Sequence, residues 1–198
     1  RMPFPEPSRL VAIARQDRGS PNLGVNAPQD FMTWQSQVPA IETLAGLGPW
    51  PLTYSADGRS EQLTTYRITA NLFDVLKVRP ALGAGFTTAN ERAGEDLVVV
   101  LSHGAWMRVF GGDSSIVGRQ VVFGKEVRQV IGVMPRGFVF PARQWSVGYL
   151  TTYPTGGNAG FGHVVARMPP GSSAIELRPR LLAAELPGIG ARSSSTGS

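Results

Sequence analysis

The chain has 198 residues, 42% of them hydrophobic and 9% aromatic, with 24 glycines and 16 prolines. That composition suits one globular domain or two small lobes made of short elements, and it excludes a long helical bundle. The net charge of +5 comes from arginines scattered along the sequence, with lysine only at positions 77 and 125, so no contiguous basic stripe for nucleic acid is present. The absence of cysteine excludes disulfides and thiolate metal sites, and no run of 18 apolar residues could cross a membrane as a helix.

Taken in order, Pro3-Phe4-Pro5-Glu6-Pro7 cannot be helical, because its prolines remove donors and push their neighbours to extended geometry. Leu10–Ala14 predicts a first strand and Arg15–Gly24 a polar loop. Asn26-Ala27-Pro28 starts a helix, with a capping side chain and then proline in the first turn. Phe31, Trp34 and Val38 share one face of it, and Pro39 ends it. Ala40–Leu47 is expected to add a short turn. Leu52–Ser55 and Gln62–Ile68 predict two strands joined through Ala56-Asp57-Gly58-Arg59, since Asp-Gly is a strong hairpin signal. Thr69 is expected to cap a short helix that turns Leu72, Phe73 and Leu76 inward and stops before Arg79 and Pro80. Leu82–Phe86 predicts a tight turn, and Thr87–Glu95 a polar connection between lobes.

The sequence is organised around residues 97–141. Leu97–Leu101 is a valine-rich run suited to a buried strand. Ser102 is placed to cap a helix with Trp106, Val109 and Phe110 on one face, stopped by Gly111-Gly112. Val121–Val133 predicts two strands around Gly124-Lys125, where glycine first suits a type II′ turn. Beyond it, residues 144–147 predict a short strand, Thr151–Gly162 a glycine-rich mobile connection, and Val164–Met168 a strand before the Pro169-Pro170-Gly171 turn. Ser173 with Glu176 forms a capping box for a last helix with Leu177, Leu181 and Leu182. Ala191–Ser198 reads as a disordered tail.

No assembled catalytic motif emerges. His103 and His163 are the only histidines, and metal sites need three or four convergent ligands. Ser102 and His103 are adjacent, and neighbours in sequence do not face each other on a helix. Gly124-Lys125-Glu126 lacks the residues of a phosphate-binding loop. The glycines of 157–162 lack dinucleotide-binding spacing and precede a strand. Asp57, Asp74 and Asp113 sit in turns or short helices, where aspartate is at home. Trp34, Trp50, Trp106 and Trp145 read as core anchors spread over separate elements. Catalytic, cofactor and metal residues are therefore expected to be none, with any ligand-binding residues unassigned.

Several segments in order resemble the extracytoplasmic core domain of MacB-type, FtsX-like ABC transporter permeases, most of all the large acidobacterial-type permeases. They are residues 5–11, Asp30-Phe31 with Trp34, residues 71–76, Pro80 through Phe86, and residues 100–104 with Trp106. Phe110-Gly111-Gly112-Asp113, residues 116–119, residues 130–135 and residues 165–168 complete the set, which runs from residue 3 to about 186. The chain departs from the family pattern at Gly83-Ala84, where Gly-Arg is common, and at Gly124-Lys125, where Asp-Gly or Asn-Gly is common.

The resemblance implies an α+β fold of two lobes. A porter-like β-α-β lobe would comprise residues 1–90 and 152–198, and a smaller mixed α/β lobe, residues 91–151, would be inserted in it. It also implies a non-catalytic domain without cofactor, held outside the cytoplasmic membrane between transmembrane helices expected before Arg1 and after Ser198. The implied partners are those helices, a cytoplasmic ABC ATPase and periplasmic adaptor or envelope proteins, in a dimeric transporter that binds no nucleic acid. The competing reading is a secreted module that binds sugar or peptide through residues 151–162. A hydrolase is a third.

Overall fold

The computed structural model describes residues 5–13, 15–16, 23–24, 34–36, 38, 41–56, 59–140, 148–151 and 163–172. The strands are β1 (Leu10–Ile13), β2 (Arg15–Gln16), β3 (Leu23–Gly24), β4 (Thr43–Ala56), β5 (Arg59–Ile68), β6 (Leu82–Gly83), β7 (Val98–Leu101), β8 (Gln120–Phe123), β9 (Glu126–Val133), β10 (Gly148–Thr151) and β11 (His163–Arg167). Among the described residues the helices are α1 (Leu72–Leu76) and α2 (His103–Phe110), and residues 34–36 are also helical. Nine strands form one mixed sheet in the order β1-β11-β4-β5-β10-β7-β9-β6, with β8 pairing β4 and β9. β10–β5 and β7–β9 are parallel, and the other pairings are antiparallel. The fold is the α+β class expected from the resemblance.

The alternation of side chains along a strand divides the apolar residues between the two faces of this sheet. Ala45 and Leu47 of β4, Tyr66 and Ile68 of β5, and Val165 of β11 face α1 and form one cluster with Leu72, Phe73, Val75 and Leu76. On the opposite face, Leu44, Val164 and Ala166 join Ile13, Trp34, Val38 and Met168 in a second cluster. A third lies further along that face, where Leu52 of β4 and Leu63 of β5 meet Val99, Leu101, Val121, Phe123, Val130 and Val133. Between the second and third clusters Gly48 pairs with Arg67 and Trp50 with Thr65. There the Arg67 guanidinium lies 3.6 Å from the Trp50 ring centre, a cation–π contact rather than a continuation of the core.

β7 is buried along its whole length and serves two clusters, Val98 and Val100 facing α1 and Val99 and Leu101 facing α2. Its partner β9 carries one extra residue. Val99 pairs with Val130 and Val100 with Gly132, so Ile131 is a bulge. Without the bulge, residues 130 and 133 would point to opposite faces; with it, both Val130 and Val133 reach the third cluster.

Several elements differ from the sequence expectation. Residues 40–47 do not add a turn, because β4 already begins at Thr43 and runs through Pro49 and Pro51. β11 pairs β4 only as far as Leu47, and β8 touches it only at Tyr54. Gly46 bonds Thr69 on the β5 side through both its N–H and its carbonyl, while the Thr53 carbonyl accepts from Gly124 N–H on the other side. By alternation, Pro49 and Pro51 turn their donor-less nitrogens away from β5, the position where proline costs a strand least. The loop expected at 15–24 holds the two-stranded ladder β2–β3.

The residue before α1 is Asn71, not Thr69. The Thr69 hydroxyl instead accepts from Gly46 N–H and donates to Asn71 Oδ1, and Asn71 Nδ2 donates to the Leu44 carbonyl at 2.8 Å. The expected turn at 82–86 contains β6, paired with β9 through Gly83 and Gly132. The segment 87–95 forms a 3-10 turn (Thr88–Glu91) with a Thr87/Asn90 capping box, and Glu91 Oε1 accepts from Ala70 N–H at 2.7 Å.

Other expectations hold. Phe123 pairs with Glu126 across Gly124-Lys125, and Gly124 has φ 62° while Lys125 does not enter positive φ, as a type II′ turn requires. Ala56 pairs with Arg59 where the hairpin is expected, with residues 57–58 outside the described ones. Ser102 Oγ accepts from Ala105 N–H, and α2 ends at left-handed Gly111. The helix start at 26–28, residues 144–147, the connection 152–162, the capping box at 173–176 and the tail 191–198 lie outside the described residues.

Candidate functional site

The residues singled out for chemistry are not brought together. His103 sits in the first turn of α2 with its ring edge-on to Trp106, centroids 5.4 Å apart. His163 opens β11 opposite Leu47. Ser102 is engaged as the cap of α2. Asp113 caps the next 3-10 turn by accepting from the hydroxyl and N–H of Ser115, which together with Arg119 hold its carboxyl below the usual range. Among the described residues, no group of three or more His, Asp or Glu side chains could hold a metal ion. Asp57 and Trp145 lie outside the described residues. Trp34 is buried and Trp106 half-buried, with Trp106 Nε1 donating to the Asp113 carbonyl at 2.9 Å. Trp50 departs from the core-anchor expectation: it is 39% exposed, on the strip that carries Arg67.

Two features were not read from the sequence. The first is a groove of about 270 Å³ between the far end of β4, α2 and β8, lined by Tyr54, Phe110, Ile116, Arg119 and Val121. Its wall is an aromatic corner, with Tyr54 edge-on to Phe110 at 5.3 Å and tilted against Phe123 at 6.0 Å. Arg119 at its rim is paired with Asp113 at 3.2 Å.

The second is a node of five charged side chains centred on Glu6, in the segment that leads into β1. Glu6 Oε2 accepts from Lys77 Nζ at 2.7 Å, and its two oxygens accept from Arg9 Nη1 at 3.0 and 3.1 Å. Arg9 also pairs with Glu42, donates from Nε to the Met168 carbonyl at 2.8 Å, and takes the Met168 N–H on its own carbonyl. Lys77 first and Arg9 second lower the Glu6 carboxyl from 4.5 to about 2.

Beneath the node lies Arg167, 1% exposed on the face that carries α1. Its Nε donates to the Val75 carbonyl at 2.5 Å. Its Nη1 stands 3.7 Å from Glu6 Oε2, and neither Nη1 nor Nη2 reaches a hydrogen-bond partner. Burial lowers the pKa of this guanidinium, the charge of Arg9 lowers it further, and Glu6 and Glu42 act in the opposite sense. Buried donors without partners are uncommon enough to require a reason.

Neither the groove nor the node presents a nucleophile beside a base. The node is a fastening of four separate parts of the chain, and the groove is a shallow amphipathic recess.

Among the solved structures that share the fold are two transporter domains. The periplasmic region of MacB from Actinobacillus actinomycetemcomitans superposes with a TM-score of 0.68 at 19% identity, over 87% of this chain and 79% of that one. The extracellular domain of the noncanonic ABC-type transporter YknZ from Gram-positive bacteria gives 0.63 at 16% identity, over 86% of this chain and 88% of that one. No curated protein matches the sequence. The family profile described as the MacB-like periplasmic core domain matches residues 2–184, and the chain belongs to that family.

Proposed function

We propose that this chain is the non-catalytic extracytoplasmic domain of an ABC transporter permease of MacB/FtsX type. It passes conformational change, driven by a cytoplasmic ATPase, to substrate export or to envelope partners. The family match over residues 2–184 carries the reading. In this reading the domain stands outside the membrane between two transmembrane helices of the same permease, and the permease works as a dimer with adaptor or envelope proteins.

We also propose the division into a porter-like lobe, residues 1–90 with 152–198, and an inserted lobe, residues 91–151. Its support is confined to one face of the sheet, where Trp50 and Arg67 interrupt the apolar packing between the second and third clusters; on the other face the first cluster joins Val98 and Val100 to α1 across the boundary. β4 and β5 run through both regions as a paired ribbon, and β4 alone is about 46 Å long for its 14 residues. Such a ribbon can carry displacement from one end of the domain to the other.

The test uses Glu61 and Arg108, which are paired at 2.7 Å between β5 and α2 across the proposed boundary. Glu61→Cys with Arg108→Cys in the full-length permease, joined by a short reagent cleaved on reduction, should stop transport and release it on reduction. Transport that continues at the uncrosslinked rate would sink the lever reading.

A further inference from the structure

We propose that Glu6 is a latch that fastens the segment leading into β1 to the end of α1 and to β11, so that withdrawal of this segment releases the last turn of α1 and uncovers Arg167. The inference rests on the reading above, in which the domain stands between two transmembrane helices, so that this N-terminal segment is where movement of the first of them would enter the domain.

The geometry has an anchored side and a releasable side. Arg9 is fixed: its backbone and its Nε both bond Met168 beyond the end of β11. Arg167 is fixed too, buried and bonded to the Val75 carbonyl in α1. Lys77 closes α1 with its N–H bonded to the carbonyls of Asp74 and Phe73. Glu6 alone of the four cannot stay in place without the others. It is 46% exposed, it has φ 49°, and its side-chain bonds go only to Lys77 and Arg9, with Arg167 beyond them at 3.7 Å.

A left-handed backbone at a non-glycine residue is kept only while its surroundings hold it, so loss of the side-chain pairs lets residues 5–6 relax to extended geometry. Exposed ion pairs are individually weak and screened by salt, which suits a contact that must open. Arg167 gives the open state a consequence. Its terminal nitrogens make no hydrogen bond while the latch is shut, Nη1 having only the Glu6 carboxylate at 3.7 Å, and with Glu6 gone a buried cation beside α1 faces water. The core near α1 therefore senses the position of a segment more than 60 residues away in sequence.

Hydrogen exchange on the 198-residue chain tests this. The reporters are the Arg9 amide, bonded to the Glu6 carbonyl, and the Val78 amide, bonded to the Phe73 carbonyl at the end of α1. Glu6→Gln removes the latch charge. Lys77→Asn removes the partner while keeping a residue tolerant of left-handed geometry. Each variant should speed exchange about tenfold at both reporters, from the summed loss of weak pairs, with β5 unchanged. High salt should do the same to the parent chain and add nothing to the variants. Acceleration confined to the mutated segment, or loss of protection in β5 as well, overturns the latch. If the reporters move together but Glu6→Gln leaves transport by the full-length permease unchanged, the latch stands and the lever reading fails.

Discussion

Glu6 and Lys77 are the two non-glycine residues with positive φ among the described residues, at 49° and 54°, and they are bonded to each other at 2.7 Å. Left-handed geometry costs an ordinary L-residue roughly 1–2 kcal/mol. Lys77 holds the position after a helix where glycine is favoured. Lys77→Gly should therefore leave the chain at least as stable as the parent, and up to about 1 kcal/mol more so, despite losing an exposed ion pair. Lys77→Ala, which keeps the strain and loses the pair, should cost about 0.5–1 kcal/mol. Urea unfolding of the three proteins decides this, and a Gly variant less stable than the Ala variant refutes it.

Acid should act through the same residue. The Glu6 carboxyl titrates at about 2 in the folded chain against 4.5 ordinarily. A lowered folded value means its contribution is complete above about pH 4.5 and is lost as pH falls through about 2. Unfolding measured from pH 6 to pH 2 should show stability falling over the lower half of that range. Glu6→Gln should have a shallower slope there and match the parent at the acid end. Identical slopes in the two proteins would remove Glu6 as the source.

Gly83 and Gly124 both have positive φ, but different surroundings. A Cβ on Gly83 would lie 2.1 Å from the Ile131 carbonyl oxygen, and one on Gly124 would meet nothing within 4 Å. Gly124→Ala should cost only the backbone term, about 1 kcal/mol. Gly83→Ala adds a collision with backbone that cannot swing aside, so it should cost more than about 2 kcal/mol and detach β6. Equal losses at the two sites would show that β6 yields freely.

Trp106 is half-buried over the third cluster, with its indole N–H bonded to the Asp113 carbonyl. Trp106→Phe keeps most of the apolar contact and should lose about 1 kcal/mol, the worth of one hydrogen bond. Trp106→Ala should lose roughly 2–4 kcal/mol, the lower part of the range for large aromatic truncations. A loss below about 1 kcal/mol for Trp106→Ala would mean that the α2 face is free for other use.

What the sequence disclosed follows from the range of the interactions involved. The pairing of Ala56 with Arg59, the turn at Gly124-Lys125, the Ser102 cap and the Gly111 stop are set by a few adjacent residues, and they appear as expected. The start of β4 was hidden because Pro49 and Pro51 resemble breakers; among the described residues no strand pairs with β4 beside them, which makes them tolerable. β6 was hidden because Leu82-Gly83 has no alternation to detect in two residues. The Ile131 bulge exists only relative to β7. The charged node was the least legible feature, since it gathers residues 6, 9, 42, 77 and 167 from distant parts of the chain. Its one local hint was a carboxylate set among prolines, which predicts extended backbone and no partner.

The two prolines of β4 have a further consequence for recognition. A strand edge ordinarily invites another chain to extend the sheet, because alternate residues offer both an N–H and a carbonyl. Along the stretch between β11 and β8, the outward positions 49 and 51 offer carbonyls alone. A peptide laid there could donate to those carbonyls, but its own carbonyls would find no donor at two successive outward positions. This margin is therefore a poor one for backbone pairing, whether by another protein or by a second copy of the domain. Recognition at this margin would lean on side chains, and among the described residues it displays the Trp50 ring and the guanidinium stacked on it.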